Sequence, residues 1–118
     1  MSEIRLIANL EVAEGKESDA RAALETLVAT VRDKDDPAKT TQYDACLSED
    51  GRTAMMMERY ADGGALGEHM EHVGEALGAV LACTTPKALI LVGEVPAPIQ
   101  EALAQMSPTY LALAFSAR

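Results

Sequence analysis

Two histidines, a strand glutamate, three tyrosines and a strand asparagine carry the chemistry this sequence offers. His69 flanks the apolar stripe of a helical stretch, between Leu66 and Val73 in angular position. An imidazole titrates close to neutrality, so His69 can act as a base. The competing reading is a boundary histidine hydrogen-bonded to a neighbouring sheet. His72 turns toward the glutamate side of the same stretch and reads as solvated. Spaced by three, the two could touch one metal ion, but a helical pair alone is a weak zinc signal, and no metal or other cofactor is expected. Glu58 lies inside a strand pattern. It is either an outward charge or a buried carboxylate paired with Arg59, Arg5 or His69. Asn9 is out of place in another strand, because asparagine is depleted there. It faces solvent or projects into an enclosed space. Tyr43, Tyr60 and Tyr110 each offer a phenolic donor or an ordinary half-buried ring. The run Met55-Met56-Met57 fills a core or, through Met55 and Met57, lines a substrate surface. From these, the expected catalytic set is His69, Asn9 and Tyr60, with Glu58, Tyr43, Met55, Met57 and Tyr110 around the substrate. No nucleophile elbow, phosphate loop or dinucleotide fingerprint is present; Gly63-Gly64 precedes a helix but lacks the spacing of either glycine motif.

The elements that must position these groups follow from periodicity. Ile4, Leu6, Ala8, Leu10 and Val12 alternate with Arg5, Ile7, Asn9 and Glu11, which predicts a strand with one apolar and one mixed face. Gly15 breaks it and opens a helix with an apolar stripe at Ala20, Ala23, Leu24, Leu27, Val28 and Val31, stopped at Asp35-Asp36-Pro37. Thr40 to Ser48 is a weaker, more polar strand, and Glu49-Asp50-Gly51 turns it into a third strand at Thr53 to Tyr60. Asp62 caps a second helix whose stripe is Leu66, Met70, Val73, Leu77, Val80 and Leu81. Gly67, Gly74 and Gly78 line one flank of that helix, so either another helix packs there or a partner's tail crosses it. Thr84-Thr85-Pro86 reads as a breaker before a continuously apolar fourth strand at Ala88 to Val95, buried on both faces. Ile99, Ala102, Leu103 and Met106 suggest a short helix ended by Pro108, and Tyr110 to Phe115 an edge strand.

The order β-α-β-β-α-β is the ferredoxin-like arrangement of an α+β fold, an antiparallel sheet with both helices on one face. The uncovered face is too apolar for water, so a homodimer is expected. At 118 residues the chain is read as one domain, 1–118, with a core over 3–95 and a C-terminal extension over 96–118. Apolar residues make up 48%, which excludes disorder. The net charge of −9 argues against nucleic acid and anionic membrane surfaces, and no apolar run approaches a membrane span. Met-Ser-Glu-Ile-Arg has no secretory character, so a cytoplasmic location with Cys46 and Cys83 reduced is expected.

The segment Met57-Glu58-Arg59-Tyr60-Ala61-Asp62, followed by Ala65-Leu66-Gly67-Glu68-His69, resembles the antibiotic-biosynthesis-monooxygenase family of dimeric α+β barrels. That family shows a glutamate, an aromatic two residues on, an acidic turn and a helix with a histidine after its first turns. Gly15-Lys16 at the first helix is also similar, and the resemblance covers roughly residues 3 to 95. It implies a homodimer of two facing sheets with a cavity in each subunit. It implies oxidation of phenols, quinols or polycyclic aromatics by dioxygen without metal or flavin. Such chemistry needs a base, a donor for the developing oxyanion and a dry pocket. Asn9 matches the first-strand asparagine of the related haem-degrading branch. His69 stands where that branch has tryptophan, and its later histidine position falls on Ala79, so haem degradation ranks third. The first reading is a cofactor-independent monooxygenase acting on a small aromatic, phenolic or quinol-like molecule. The alternative is a non-catalytic homodimeric module of the same fold, binding a small molecule or a partner.

Overall fold

The computed structural model describes residues 3–117. Its strands are β1 (Ile4–Val12), β2 (Thr40–Leu47), β3 (Thr53–Tyr60), β4 (Thr84–Val92) and β5 (Thr109–Leu111); its helices are α1 (Glu17–Lys34), α2 (Gly63–Leu81) and α3 (Ala97–Leu103), with a 3-10 turn at Ala104–Met106. The strands form one sheet in the order β2-β3-β1-β4-β5. The first four pair antiparallel in the ferredoxin-like order, and β5 adds to β4 in parallel. The extension thus supplies an edge strand, as its apolar alternation predicts. The strand is shorter than expected, ending at Leu111 rather than Phe115, and its direction makes the sheet mixed.

Strand parity decides which side chains meet the helices. On β1, Ile4, Leu6, Ala8, Leu10 and Val12 are buried beneath α1 and α2. On β3 the inward set is Ala54, Met56, Glu58 and Tyr60, and on β2 Tyr43, Ala45 and Leu47 pack against the same core. Leu24, Leu27 and Val31 of α1 and Leu66, Val73 and Val80 of α2 close it from above. Each such aliphatic side chain contributes roughly 1.5–3 kcal/mol by leaving water. The opposite sheet face is bare. Ile7, Met55 and Met57 stand on it, each more than one-third exposed.

Three local features set the chain path. Asp50 Oδ1 accepts from Ser48 Oγ (2.8 Å) and from the Arg52 N–H (2.9 Å), closing the β2–β3 hairpin around Gly51, whose φ of 73° favours glycine. Asp62 Oδ1 accepts from the Ala65 N–H at 2.9 Å and caps α2 as its sequence position predicts. Gly93 leaves β4 at φ 125°, and a Cβ there would lie 2.7 Å from the Glu3 carbonyl oxygen, so only glycine lets the chain turn away toward α3. Thr84-Thr85-Pro86 is not the breaker its composition suggests. These residues open β4, where Ala88 lies opposite Asn9 and Pro86 opposite Leu10, leaving Lys87 as an extra residue of β4, and a bulge is where a strand tolerates a residue without an N–H.

Candidate functional site

α1 ends on an acidic residue, against its own dipole. Asp35 is the C-cap, its N–H bonded to the Val31 carbonyl at 2.9 Å and its backbone already extended. That geometry swings the carboxylate under α2, where its side chain is 4% exposed. Thr40, the first residue of β2, donates to Oδ2 at 2.7 Å. His69 Nδ1 meets the same Oδ2 at 2.8 Å, and His72 Nδ1 meets Oδ1 at 2.7 Å. Burial pushes the Asp35 carboxyl up, but hydrogen bonds from His72, Thr40 and His69 outweigh it and hold the group below the ordinary carboxylate range. An ionised carboxylate only accepts, so both Nδ1 atoms carry protons. Burial holds His69 below the ordinary imidazole range despite the pull of Asp35. His69 is therefore neutral at pH 7, with its proton on Nδ1 and a free lone pair on Nε2. No hydrogen bond to Nε2 is made among the described residues.

His69, 5% exposed in its side chain, forms part of the wall of a cavity between α2 and the sheet. The cavity measures about 90 Å³, several times the space one water requires. Its polar end is built by Tyr43, Glu58 and His69, and its far end by Leu77, Leu81, Leu103 and Met106. Tyr43 and Glu58 are cross-strand partners on β2 and β3. The rings of Tyr43 and Tyr60 both lie against His69, with centroids 4.9 and 5.1 Å away. Tyr60 donates its hydroxyl to Glu58 Oε1. Burial pushes the Glu58 carboxyl up to about 7; the Tyr60 hydrogen bond opposes this and the Asp35 charge adds to it. Glu58 can thus hold or release a proton near neutrality. Burial, then Glu58 and Asp35, push the Tyr43 phenol far up, so it stays protonated. Burial and Glu58 do the same to Tyr60. The Tyr43 hydroxyl has no hydrogen-bond partner among the described residues and is available to whatever fills the cavity.

The expected set is therefore brought together only in part. His69, Glu58 and Tyr43 converge on the cavity, and Tyr60 stands directly behind them. Asn9 does not reach it: β1 parity sends Asn9 to the bare sheet face with Ile7, away from the helices. Met55 and Met57 lie on that same face, while Met56 is the methionine in the core and the cavity wall. Tyr110 is exposed on the edge strand, on the far side of β4. Glu58 pairs with Tyr60 rather than with Arg59, Arg5 or His69. Asp35, Thr40 and the role of His72 escaped the sequence reading. Asp35 reads as part of an Asp-Asp-Pro stop, and 34 residues separate it from His69. The one available signal is an acid at a helix C-terminus, which asks for a compensating partner. Among the described residues no group of three or more His, Cys, Asp or Glu side chains is arranged to hold a metal ion, and no helix is long and apolar enough to cross a membrane.

No family model matches the sequence, and no curated protein matches it. Solved structures do match the fold. MupZ from Pseudomonas fluorescens superposes with a TM-score of 0.81 at 16% identity, covering 100% of this chain and 95% of MupZ, so the likeness includes the C-terminal extension. SnoaB from Streptomyces nogalater, a cofactor-independent oxygenase, superposes at 0.63 with 13% identity over 77% of this chain and 91% of SnoaB. A candidate antibiotic biosynthesis monooxygenase from Caulobacter crescentus superposes at 0.63 with 20% identity over 80% of this chain and 90% of that one. The chain thus shares the α+β ferredoxin-like fold of these proteins, among them an antibiotic biosynthesis monooxygenase candidate and a cofactor-independent oxygenase.

Proposed function

We propose that this protein is a monooxygenase of the antibiotic-biosynthesis type that oxidises a small phenolic or quinol-like molecule without a cofactor. The observation that carries the reading is the Asp35–His69 pair, a buried carboxylate holding an imidazole in the wall of a largely apolar cavity. A phenol bound at the polar end gives its proton to His69 Nε2. Asp35 fixes the ring tautomer and balances the imidazolium that forms. Tyr43 donates to the phenolate oxygen, and Glu58, poised near neutrality, exchanges the proton released or consumed later. The electron-rich ring carbon then bonds to dioxygen. Its C–H proton leaves and the peroxide O–O bond breaks. One oxygen atom stays as a ring carbonyl and the other departs as water: phenol plus O₂ becomes quinone plus H₂O. The aliphatic far end, closed by Leu103 and Met106, keeps water from the intermediate.

An oxygen electrode and a panel of phenols and hydroquinones test this. Uptake with at least one of them is expected, falling about 10²–10⁴-fold in His69→Ala. Flat traces across the panel would sink the reading and leave a non-catalytic binding module of the same fold, for which the mostly aliphatic cavity wall speaks.

The bare sheet face supports a homodimer as part of the same proposal. Ile7, Met55 and Met57 present apolar surface there that a second sheet would cover. A cytoplasmic location belongs to it as well, supported by two free thiols, Cys46 and Cys83.

A further inference from the structure

We propose that His72 is a positioning residue that sets the strength of the cavity base from the solvent side, by competing with His69 for the one carboxylate of Asp35. The inference rests on His69 being the base, as proposed above. Asp35 gives one oxygen to each imidazole, Oδ2 to His69 and Oδ1 to His72, at 2.8 and 2.7 Å. The two rings differ in where they stand. The His72 side chain is 33% exposed and that of His69 5%, so bulk protons reach His72 directly. One carboxylate balances one positive charge. When His72 is neutral, the whole charge of Asp35 supports a proton on His69. When His72 is protonated, that charge is already matched, and His69 must hold its proton against a neighbouring cation.

Other titratable groups feel the same carboxylate and must be separated from the effect. They are Tyr43 on β2 and Glu58 and Tyr60 on β3, with Thr40 as a neutral donor at the start of β2. On α2 itself, Glu68 is engaged by Lys39 at 2.8 Å. The tyrosines keep their protons throughout. Glu58, pushed up to about 7 by burial, also changes its charge near neutrality, so the measurement is also made in Glu58→Gln.

Nitrogen-15 NMR titration of the imidazoles tests the idea without any substrate. His72→Gln keeps an N–H that can reach Oδ1 but carries no charge. His72→Asn is the second variant, should Gln disturb the fold. The expected result is a His69 midpoint about one pH unit higher in the variant than in the wild type. In the wild type the His69 and His72 curves should deviate from single-site titrations at a common pH. A phenol oxidised by the wild type should show its acid rate limb displaced to higher pH in His72→Gln by the same amount. A purely structural His72 would leave both midpoint and limb in place, because Gln preserves the hydrogen bond. Identical His69 curves in wild type and variant overturn the inference and leave the monooxygenase reading standing. Flat oxygen traces overturn that reading, and the titration is still read independently.

Discussion

Glu58 and Asp35 are both inward carboxylates, yet their surroundings drive them in opposite directions. Asp35 has donors on both oxygens, and these outweigh burial. Glu58 receives a single donor, Tyr60, and burial prevails, up to about 7. The consequences for stability are opposite in sign. Asp35, held low, contributes stability that is present above its ordinary value of 3.8 and lost as pH falls through its folded value. Asp35→Asn should therefore melt well below the wild type at pH 7 and approach it in strong acid. Glu58 behaves the other way: between 4.5 and about 7 the folded protein binds a proton that the unfolded chain releases, so stability falls as pH rises across that window. Glu58→Gln cannot ionise. Its stability relative to the wild type should rise from pH 4.5 to 7 and level off above, a gain on the order of 3 kcal/mol at most. Thermal melts at several pH values read both effects. A pH-independent difference for Glu58→Gln would show that Glu58 is already ionised in the folded protein.

At the scale of the element, α2 carries the site and its glycines report what lies against it. Gly67 faces Ile99 of α3, with the Ile99 Cδ1 3.8 Å from where its Cβ would lie. Gly74 and Gly78 face nothing within 4 Å among the described residues, so none of the helices described packs on that part of the flank. Gly63 is different, because a Cβ there would stand 2.4 Å from Pro96 Cγ, on a ring that cannot turn aside. Gly63→Ala should therefore cost about 1–3 kcal/mol by overpacking. Gly74→Ala should stabilise the monomer by about 0.5–1 kcal/mol, the helix preference of alanine over glycine. Denaturant melts measure both. Dimer loss in Gly74→Ala, with the fold intact, would instead mean that a partner crosses this flank. The end of α3 and the turn after it form the far cavity wall through Leu103 and Met106. Truncating both to alanine should cost a few kcal/mol and admit larger phenols, read as a shift in substrate preference in the oxygen assay.

For the whole molecule, two surfaces remain open. One is the bare sheet face; the other is the arm after β5, where Phe115 is 93% exposed. Met55→Asp or Met57→Asp should place a charge in the proposed dimer interface, giving a folded monomer by light scattering. Met56→Asp should instead unfold the chain, since Met56 is 4% exposed in the core. A wild type that runs as a monodisperse monomer at micromolar concentration ends the dimer proposal. The extension divides in two. Ile99 is buried and Leu103 and Met106 pack on the core, so removing residues 97–118 should lower thermal stability. Removing only 112–118 should spare the monomer fold and weaken dimerisation if the arm reaches the second subunit.

The element order, the cap at Asp62, the hairpin at Gly51 and the inward faces of β1 and the helices were legible from residue types and periods, because those signals are local. Whether Met55 or Met56 points inward was not, because three successive methionines carry no alternation. Asn9 is anomalous in a strand by its residue type, yet only the stacking of both helices on one face decides that it points away from the cavity. Pro86 sits in a strand because β4 bulges at the next residue, Lys87, which has no register partner on β1, a feature of how the two strands pair rather than of local composition. The cavity base shows the division most plainly. His69 stood out by its place on the helix stripe. Its proton position and basicity depend on Asp35, which arrives from the end of another helix through a reversal of the chain. Long-range convergence of this kind leaves no periodicity in the sequence. It is settled when α1 and α2 pack on the same side of the sheet and bring one carboxylate between two imidazoles.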